Sequence, residues 1–307
     1  MDSLVPLLVT VIAAATPLLF AALGELVTER AGVLNLGVEG MMLTGAVAGF
    51  AVTVSTGSSL LGIASAGLCG ALLAGVFGLL TLSLLANQVA SGLALTLFGV
   101  GLSSLIGSAY VGTPVERLPK LNVPGLSDLP VLGPLLFSHD ALVYGGLIMT
   151  ALVSWFLWRT RGGMILRAVG ESAASAHGLG YPVMRIRYLA VLFGGAMSGL
   201  GGAFLSLSYT PMWIENMTAG RGWIALALVV FAAWRPWRLL IGAYLFGGVT
   251  ILQLHAQGGG VIDVPAQILS MTPYLATIVV LTLISSDRFR TRLRAPADLG
   301  KPFHVTA

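Results

Sequence analysis

The sequence predicts an all-α protein, a polytopic transmembrane helical bundle of about nine spans, and three observations predict it. Only 9% of the 307 residues are charged while 56% are hydrophobic, against roughly 25% charged in an ordinary soluble domain. So few charges do not cover the surface of a water-soluble domain of this size, which excludes a soluble protein. Apolar runs near the length of about 20 residues that spans a bilayer recur at 5–23, 36–54, 60–84, 89–110, 141–158, 188–208, 223–234, 239–255 and 268–285. When these runs are walked in alternation, 13 of the 16 Lys and Arg fall on one side and 3 on the other. Basic residues concentrate in cytoplasmic loops, so the split predicts an external N-terminus and a cytoplasmic C-terminus.

The first span follows Met1-Asp2-Ser3 with no basic n-region before it, so it reads as a retained span and not as a cleaved signal. Forty glycines fit transmembrane helices that approach one another closely. Gly45 and Gly49 on the second span, and Gly195 and Gly199 on the sixth, have the spacing of helix-packing faces. The seventh run is short and is expected to be tilted, broken or re-entrant, so the count is nine or seven plus a re-entrant pair. Trp213, Trp223, Trp234 and Trp237 flank it as an aromatic belt would.

Two extramembrane segments stand out. The external loop 111–140 carries Pro114, Pro119, Pro124, Pro130 and Pro134, a density that argues against a long helix; it is expected to lie across the outer mouth. The internal loop 159–187 contains Gly-Glu-Ser-Ala-Ala-Ser-Ala-His-Gly at 170–178, which predicts a short surface helix stopped by Gly178 and Gly180. Residues 1–285 are thus expected to form one transmembrane domain and 286–307 a basic cytoplasmic tail.

Catalytic signatures are missing. The only lysines, Lys120 and Lys301, do not complete the phosphate-binding pattern G-x-x-x-x-G-K-[ST]. No H-E-x-x-H or G-x-S-x-G occurs, and His139, His177, His255 and His304 are far apart in sequence. Cys69 is the single cysteine and reads as a small buried hydrophobe. No catalytic residue and no metal site are expected. The basic residues follow topology and do not gather on an aromatic-bearing surface, so nucleic acid is not an expected partner.

Candidate pathway residues are polar groups at membrane depth. Asn35 and Glu39 are four apart and would share one face of a helix. Glu39 is the carboxylate expected within a span, where an ionisable group normally faces a cavity or a polar partner; it either supports neighbouring helices or touches the solute. Gly32, Gly37 and Gly40 would allow close backbone approach or an irregular helix start, which transporters use. Asn87 and Gln88, at the third-to-fourth turn, are an interfacial cap or part of the pathway. Gln253, His255 and Gln257 mark the outer interface of the eighth span. The 170–180 helix, rimmed by Arg161, Arg167, Arg185 and Arg187, is either a solvated loop or a dock for a soluble partner.

Three stretches resemble a known family. Glu-Arg-Ala-Gly-Val-Leu-Asn-Leu-Gly-Val-Glu-Gly-Met-Met at 29–42 is similar to the N-terminal signature of ABC importer permeases of the branched-chain amino acid, ribose and nucleoside family. Leu-Arg-Ala-Val-Gly-Glu-Ser-Ala-Ala-Ser-Ala-His-Gly-Leu-Gly at 166–180 resembles its cytoplasmic coupling segment, and 217–227 with Trp-Arg-Pro-Trp at 234–237 and Gly242–Gly248 its late transmembrane motif. The resemblance implies a type II ABC importer-like permease in the bacterial cytoplasmic (inner) membrane, without an ATPase site of its own. It implies a second permease subunit, often a different chain, two ATP-binding subunits on the cytoplasmic side, and an external substrate-binding protein or lipoprotein. ATP would sit on the partner ATPase and no cofactor on this chain. Gly170, Glu171, Ala174, His177, Gly178 and Gly180 would carry the coupling contact. The wording Leu-Asn-Leu-Gly-Val-Glu-Gly is similar to the simple-sugar and nucleoside branch, so nucleosides are the expected solute, with simple sugars or branched-chain amino acids as alternatives. An ion-coupled carrier with Glu39 as its proton site is the rival from another class.

Overall fold

Inside a bilayer the backbone must satisfy its own polar groups, and helices do so within one segment. The computed structural model describes residues 4–122, 124, 125, 127, 129–258, 271, 272, 275, 276, 278, 279, 282 and 295–304. In chain order, α1 (Leu4–Arg30), α2 (Val38–Thr56), α3 (Ser59–Gly78) and α4 (Gln88–Gly107) come first. A short excursion follows, with β1 (Lys120–Asn122), α5 (Leu132–Leu136) and β2 (Ser138–Asp140). Then come α6 (Ala141–Arg159), α7 (Arg161–Glu171), α8 (Ala173–Gly178), α9 (Val183–Phe204), α10 (Arg221–Phe231) and α11 (Pro236–Gly258). Wider π-helical turns, Leu79–Ser83 and Leu205–Tyr209, close α3 and α9.

Among the described residues, seven helices are long and apolar enough to cross a membrane: α1 to α4, α6, α9 and α11. The expected seventh span is α10, whose 11 residues reach only about 16 Å at about 1.5 Å per residue. It is a half helix, and the broken reading of that span holds. The expected eighth span is the full-length α11. The ninth, 268–285, falls for the most part outside the described residues.

The helices converge on α9. Its glycines let backbones touch where side chains would hold them apart. A Cβ built on Gly45 of α2 would land on the backbone of Gly199 of α9, and one on Gly24 of α1 would sit 2.7 Å from the carbonyl oxygen of Gly194. The two glycine pairs expected to be packing faces therefore meet, through Gly45 and Gly199. Hydroxyls join the same helices: Ser206 donates to the carbonyl of Ala46 at 2.9 Å, and Thr28 to that of Ala190 at 3.2 Å.

One end of the bundle collects the arginines. Arg30 closes α1, Arg159 and Arg161 straddle the α6–α7 joint, Arg187 lies in the first turns of α9, and Arg235 precedes α11. The opposite end carries the proline-rich segment, in which β1 and β2 pair antiparallel and the helix is five residues long. It is tied across α9: Arg117 donates to the carbonyls of Ser208 at 2.7 Å and Tyr209 at 3.1 Å. Asp140 caps α6 by accepting from the N–H groups of Leu142 and Val143, and its other oxygen takes the Ser208 hydroxyl.

Two sequence expectations need correction. The 159–187 segment is not a loop around one short helix; it is two helices, α7 and α8, jointed at Ser172, whose hydroxyl caps α8 at the N–H of Ser175. Trp213 and Trp234 are not belt residues, since they are 2% and 3% exposed. Trp213 fills the space left by Gly107, and the indole N–H of Trp234 donates to Glu29 at 2.5 Å.

Gly199→Val is expected to lower the melting temperature of the purified protein by an amount corresponding to at least about 1–3 kcal/mol of overpacking. Gly101→Ala, where a Cβ meets nothing within 4 Å, should leave it unchanged or raise it by up to about 1 kcal/mol.

Candidate functional site

The link between α1 and α2 climbs back into the bundle before α2 begins. Gly32 turns the chain with φ +85°, a conformation that side chains disfavour. Residues 33–37 then run along α4 without helical bonds. Leu34 N–H donates to Gln88 Oε1 at 2.8 Å, and the Thr96 hydroxyl donates to the carbonyl of Leu36 at 3.0 Å. Asn35 is fully buried. Its N–H donates to Glu25 Oε1 at 2.9 Å, and its Oδ1 accepts from the N–H of Gly37 at 2.9 Å. That Asx turn places Asn35 ahead of α2, so it does not share a helical face with Glu39 as the spacing had predicted. The irregular start expected from Gly32, Gly37 and Gly40 is present.

Glu39 lies in the first turn of α2 and is 4% exposed. Its Oε1 accepts from the Thr218 hydroxyl at 2.5 Å and from Gly220 N–H at 2.8 Å; its Oε2 accepts from Gly222 N–H at 2.5 Å. Gly220 and Gly222 open α10. Glu39 therefore caps the N-terminus of the half helix, whose free N–H groups and positive dipole end favour an anion. Left-handed backbone at Asn216, Ala219 and Gly220 (φ +54°, +46° and +82°) turns those groups towards it. The depth follows from Gly40, which touches Thr96 and Gly99 of α4. Gly99 is the twelfth of the 20 residues of α4, so α10 starts near the middle of the bundle.

Glu39 is not the lone carboxylate within a span. Glu25 and Glu29 lie in the last turns of α1, 1% and 2% exposed. Glu25 holds Asn35. Glu29 holds the Trp234 indole, and Arg30 Nη2 donates to the Trp234 carbonyl at 3.1 Å, fixing the turn after α10. The sequence reading ended the span at residue 23 and so left them outside.

Between Tyr209 and Arg221 the chain descends beside α4 from the proline-rich end to this point. Glu215 and Asn216 are exposed on it. Ser104 of α4 donates to Glu215 Oε1 at 2.8 Å. Arg221 donates from Nη1 to the carbonyls of Met217 and Thr218 at 3.0 and 3.1 Å, and stands 5.7 Å from the Tyr209 ring. Sequence reasoning missed Ser104 and Glu215. The available signal was a carboxylate three residues before Thr218 in a run otherwise apolar enough to be membrane-facing.

Gln88 is 6% exposed, and its carbonyl holds Leu34. Asn87 is exposed and caps α4 by accepting from Ala90 N–H at 3.0 Å. Structure thus brings Asn35, Gln88 and Glu39 along one re-entrant segment and leaves Asn87 at its foot.

The candidate coupling residues lie at the arginine-rich end. Gly170 is buried where α7 crosses the α1–α2 turn; a Cβ there would meet the Arg30 carbonyl and come within 3.2 Å of Gly32 N. Glu171, Ala174, His177, Gly178 and Gly180 are exposed. Gly180 has φ +86° and ends the turn after α8. Among the described residues no cluster of His, Cys, Asp and Glu is placed to hold a metal.

Glu39→Ala leaves buried donors at the start of α10 without an acceptor. It is expected to destabilise by at least about 1–3 kcal/mol, the penalty for one such donor. Glu39→Gln keeps one acceptor oxygen and should fall between. Thermal melts of the three proteins check the order, and equal melting temperatures for wild type and Glu39→Ala would contradict the cap.

The family described as branched-chain amino acid transport system / permease component matches residues 7–284. A putative glucose ABC transporter permease of Haloferax volcanii is 45% identical, covering 97% of each chain. A guanosine ABC transporter permease of Bacillus subtilis is 33% identical over 94% of this chain and 93% of its own. A nucleoside ABC transporter permease of Lactococcus lactis is 32% identical over 87% and 88%. No solved structure matches. With seven apolar helices of spanning length and a match over nearly the whole sequence, the chain belongs to this family of ABC transporter permeases and is a multi-pass membrane protein.

Proposed function

We propose that the chain carries a neutral solute bearing a sugar ring, a nucleoside or a monosaccharide, across the cytoplasmic membrane beside a second permease subunit. The observation that carries this is the irregular, polar stretch at mid-bundle. Exposed Glu215 and Asn216, on non-helical backbone beside α4, do not suit lipid, which tolerates neither unsatisfied backbone nor a lone carboxylate. They suit a water-filled path or a facing subunit. Glu215, engaged by Ser104 on one oxygen only, and Asn216 offer hydrogen bonds to hydroxyls. Asn35, Glu39 and Gln88 serve the path from behind by holding its re-entrant walls, and Asn87 marks its inner mouth. Relatives named for glucose, guanosine and nucleosides share the sugar ring.

The arginine-rich end faces the cytoplasm in this reading, as the positive-inside rule requires. Two ATP-binding subunits supply the motor and hold the ATP. They dock on Glu171, Ala174, His177, Gly178 and Gly180, around a face of α8 whose side chains point outward. An external binding protein or lipoprotein delivers solute to the proline-rich end. ATP-driven closure pushes α8, and the bundle shifts about its glycine contacts between inward-open and outward-open states.

In proteoliposomes holding the whole transporter, ATP should drive uptake of labelled glucose or labelled adenosine, and leucine should not compete. Uptake of leucine alone would refute the solute class. Gly178→Trp and His177→Trp should insert normally yet lower ATP-driven uptake at least tenfold; wild-type uptake would refute docking at α8.

A further inference from the structure

Residues 295–304 do not stand apart from the bundle. Asp298 N–H donates to the carbonyl of Gly170 at 2.9 Å, and its Oδ2 accepts from the N–H of Ala173, the first residue of α8, at 2.8 Å. Gly300 N–H donates to the carbonyl of Gly32 at 3.1 Å. Buried Arg187 of α9 donates from Nη1 to the Lys301 carbonyl at 3.2 Å and from Nε to the Ala31 carbonyl at 3.2 Å. Phe303 packs on the small cluster of Val169, Ala173, Ala176 and Val183, and its ring meets that of His177 edge-on with centroids 5.6 Å apart. One ten-residue segment thus joins the α7–α8 joint, the α1–α2 turn and the start of α9.

α8 needs this footing. It has six residues, too few to be stable by helix formation alone. It buries only Ala173 and Ala176, both in the cluster on which Phe303 packs. Its outward side, with His177, Gly178 and 78% exposed Leu179, continues onto Phe303 and exposed His304.

We propose that residues 295–304 act as a strap that sets the pose of α8 and shares its exposed face, so that the ATP-binding subunit grips a two-part surface. Asp298 and Phe303 are its positioning residues. Motion of α8 then reaches Gly32, and from there the unwound entry to α2, through the strap as well as through α7. This deepens the coupling role proposed above and rests on it.

The test uses the whole transporter in proteoliposomes. Asp298→Ala and Phe303→Ala should leave the subunits assembled and ATP hydrolysis active, while solute moved per ATP falls at least fivefold. A photo-crosslinking amino acid at His304 in the otherwise unaltered chain should give an adduct with the ATP-binding subunit. Unchanged transport per ATP in both variants, or adducts confined to this chain, would overturn the strap. Gly178→Trp separates the two ideas. If it uncouples while the strap variants transport normally, only the strap fails; if it too transports normally, docking at α8 fails and the strap with it. Should the variants not assemble, the crosslink alone decides.

Discussion

A helix that begins inside a bilayer must find acceptors for its first N–H groups, and the rest of this structure is arranged around how α10 finds them. Glu39, Thr218 and Gly222 are buried, so water does not serve these groups and the protein must. Glu39 accepts three hydrogen bonds from Thr218, Gly220 and Gly222, and its charge opposes the dipole of the helix it caps. The arrangement fixes much else. α2 must present Glu39 at mid-depth, so it begins late and residues 33–37 climb unwound. The two starts must come close, so Gly222 has no side chain to give: a Cβ there would be 2.6 Å from the Glu39 backbone. α4 must pack flat against the unwound entry and the start of α2, which Gly40, Gly92 and Gly99 permit.

Unwound segments transfer the same problem to the arginine-rich end, where it is met by side chains from other helices. Gln88, Thr96 and Glu25 satisfy the 33–37 backbone. Glu29 and Arg30 hold the turn after α10 at Trp234, whose φ of +54° is unfavourable for an indole-bearing residue. Each tie is singly modest, about 0.5–1.5 kcal/mol for a typical hydrogen bond, but each also spares a buried group that would otherwise lack a partner. The result is a continuous set of ties from α8, through Gly170 and Gly32, to the start of α2 and so to α10. In the proposed coupling, a push at α8 would be passed along these ties to α10.

The class of fold was legible because composition, run length and the sidedness of arginines all report on the same solvent boundary. The packing glycines were legible because close approach demands them at fixed spacing. Glu39 and its glycine neighbours stood out as polar and flexible residues in apolar text, but their partners did not. The bonds from Glu39 to Thr218 and Gly220 span about 180 positions, and no periodicity links them. Glu25 and Glu29 were missed for a related reason. Hydropathy falls after residue 23, although α1 continues to Arg30 because tertiary partners accept its carboxylates. Asn35 was assigned to a helix by spacing, whereas its side chain competes for the backbone, accepts from Gly37 N–H and holds back the start of α2. α7 escaped notice because it is amphipathic and arginine-bearing, the pattern of a helix on a membrane surface, which a search for apolar runs passes over.

The scarcity of charge has a further consequence for what can cross. The described carboxylates at membrane depth do not share one fate. Glu25, Glu29 and Glu39 are buried and engaged with donors of the protein itself, so they hold backbone and side chains of the bundle in place. Glu215 is exposed and engaged on one oxygen by a neutral hydroxyl, Ser104, so it keeps acceptor capacity facing outward. An anionic solute would meet the outward-facing Glu215 carboxylate and be repelled by it in a low-dielectric passage. A hydroxyl-rich neutral one needs only donors and acceptors. The break before α10 leaves Glu215 and Asn216 exposed on non-helical backbone, and the same break obliges Glu39 to cap a helix. In the proposed function, the cap and the passage are two results of one interruption.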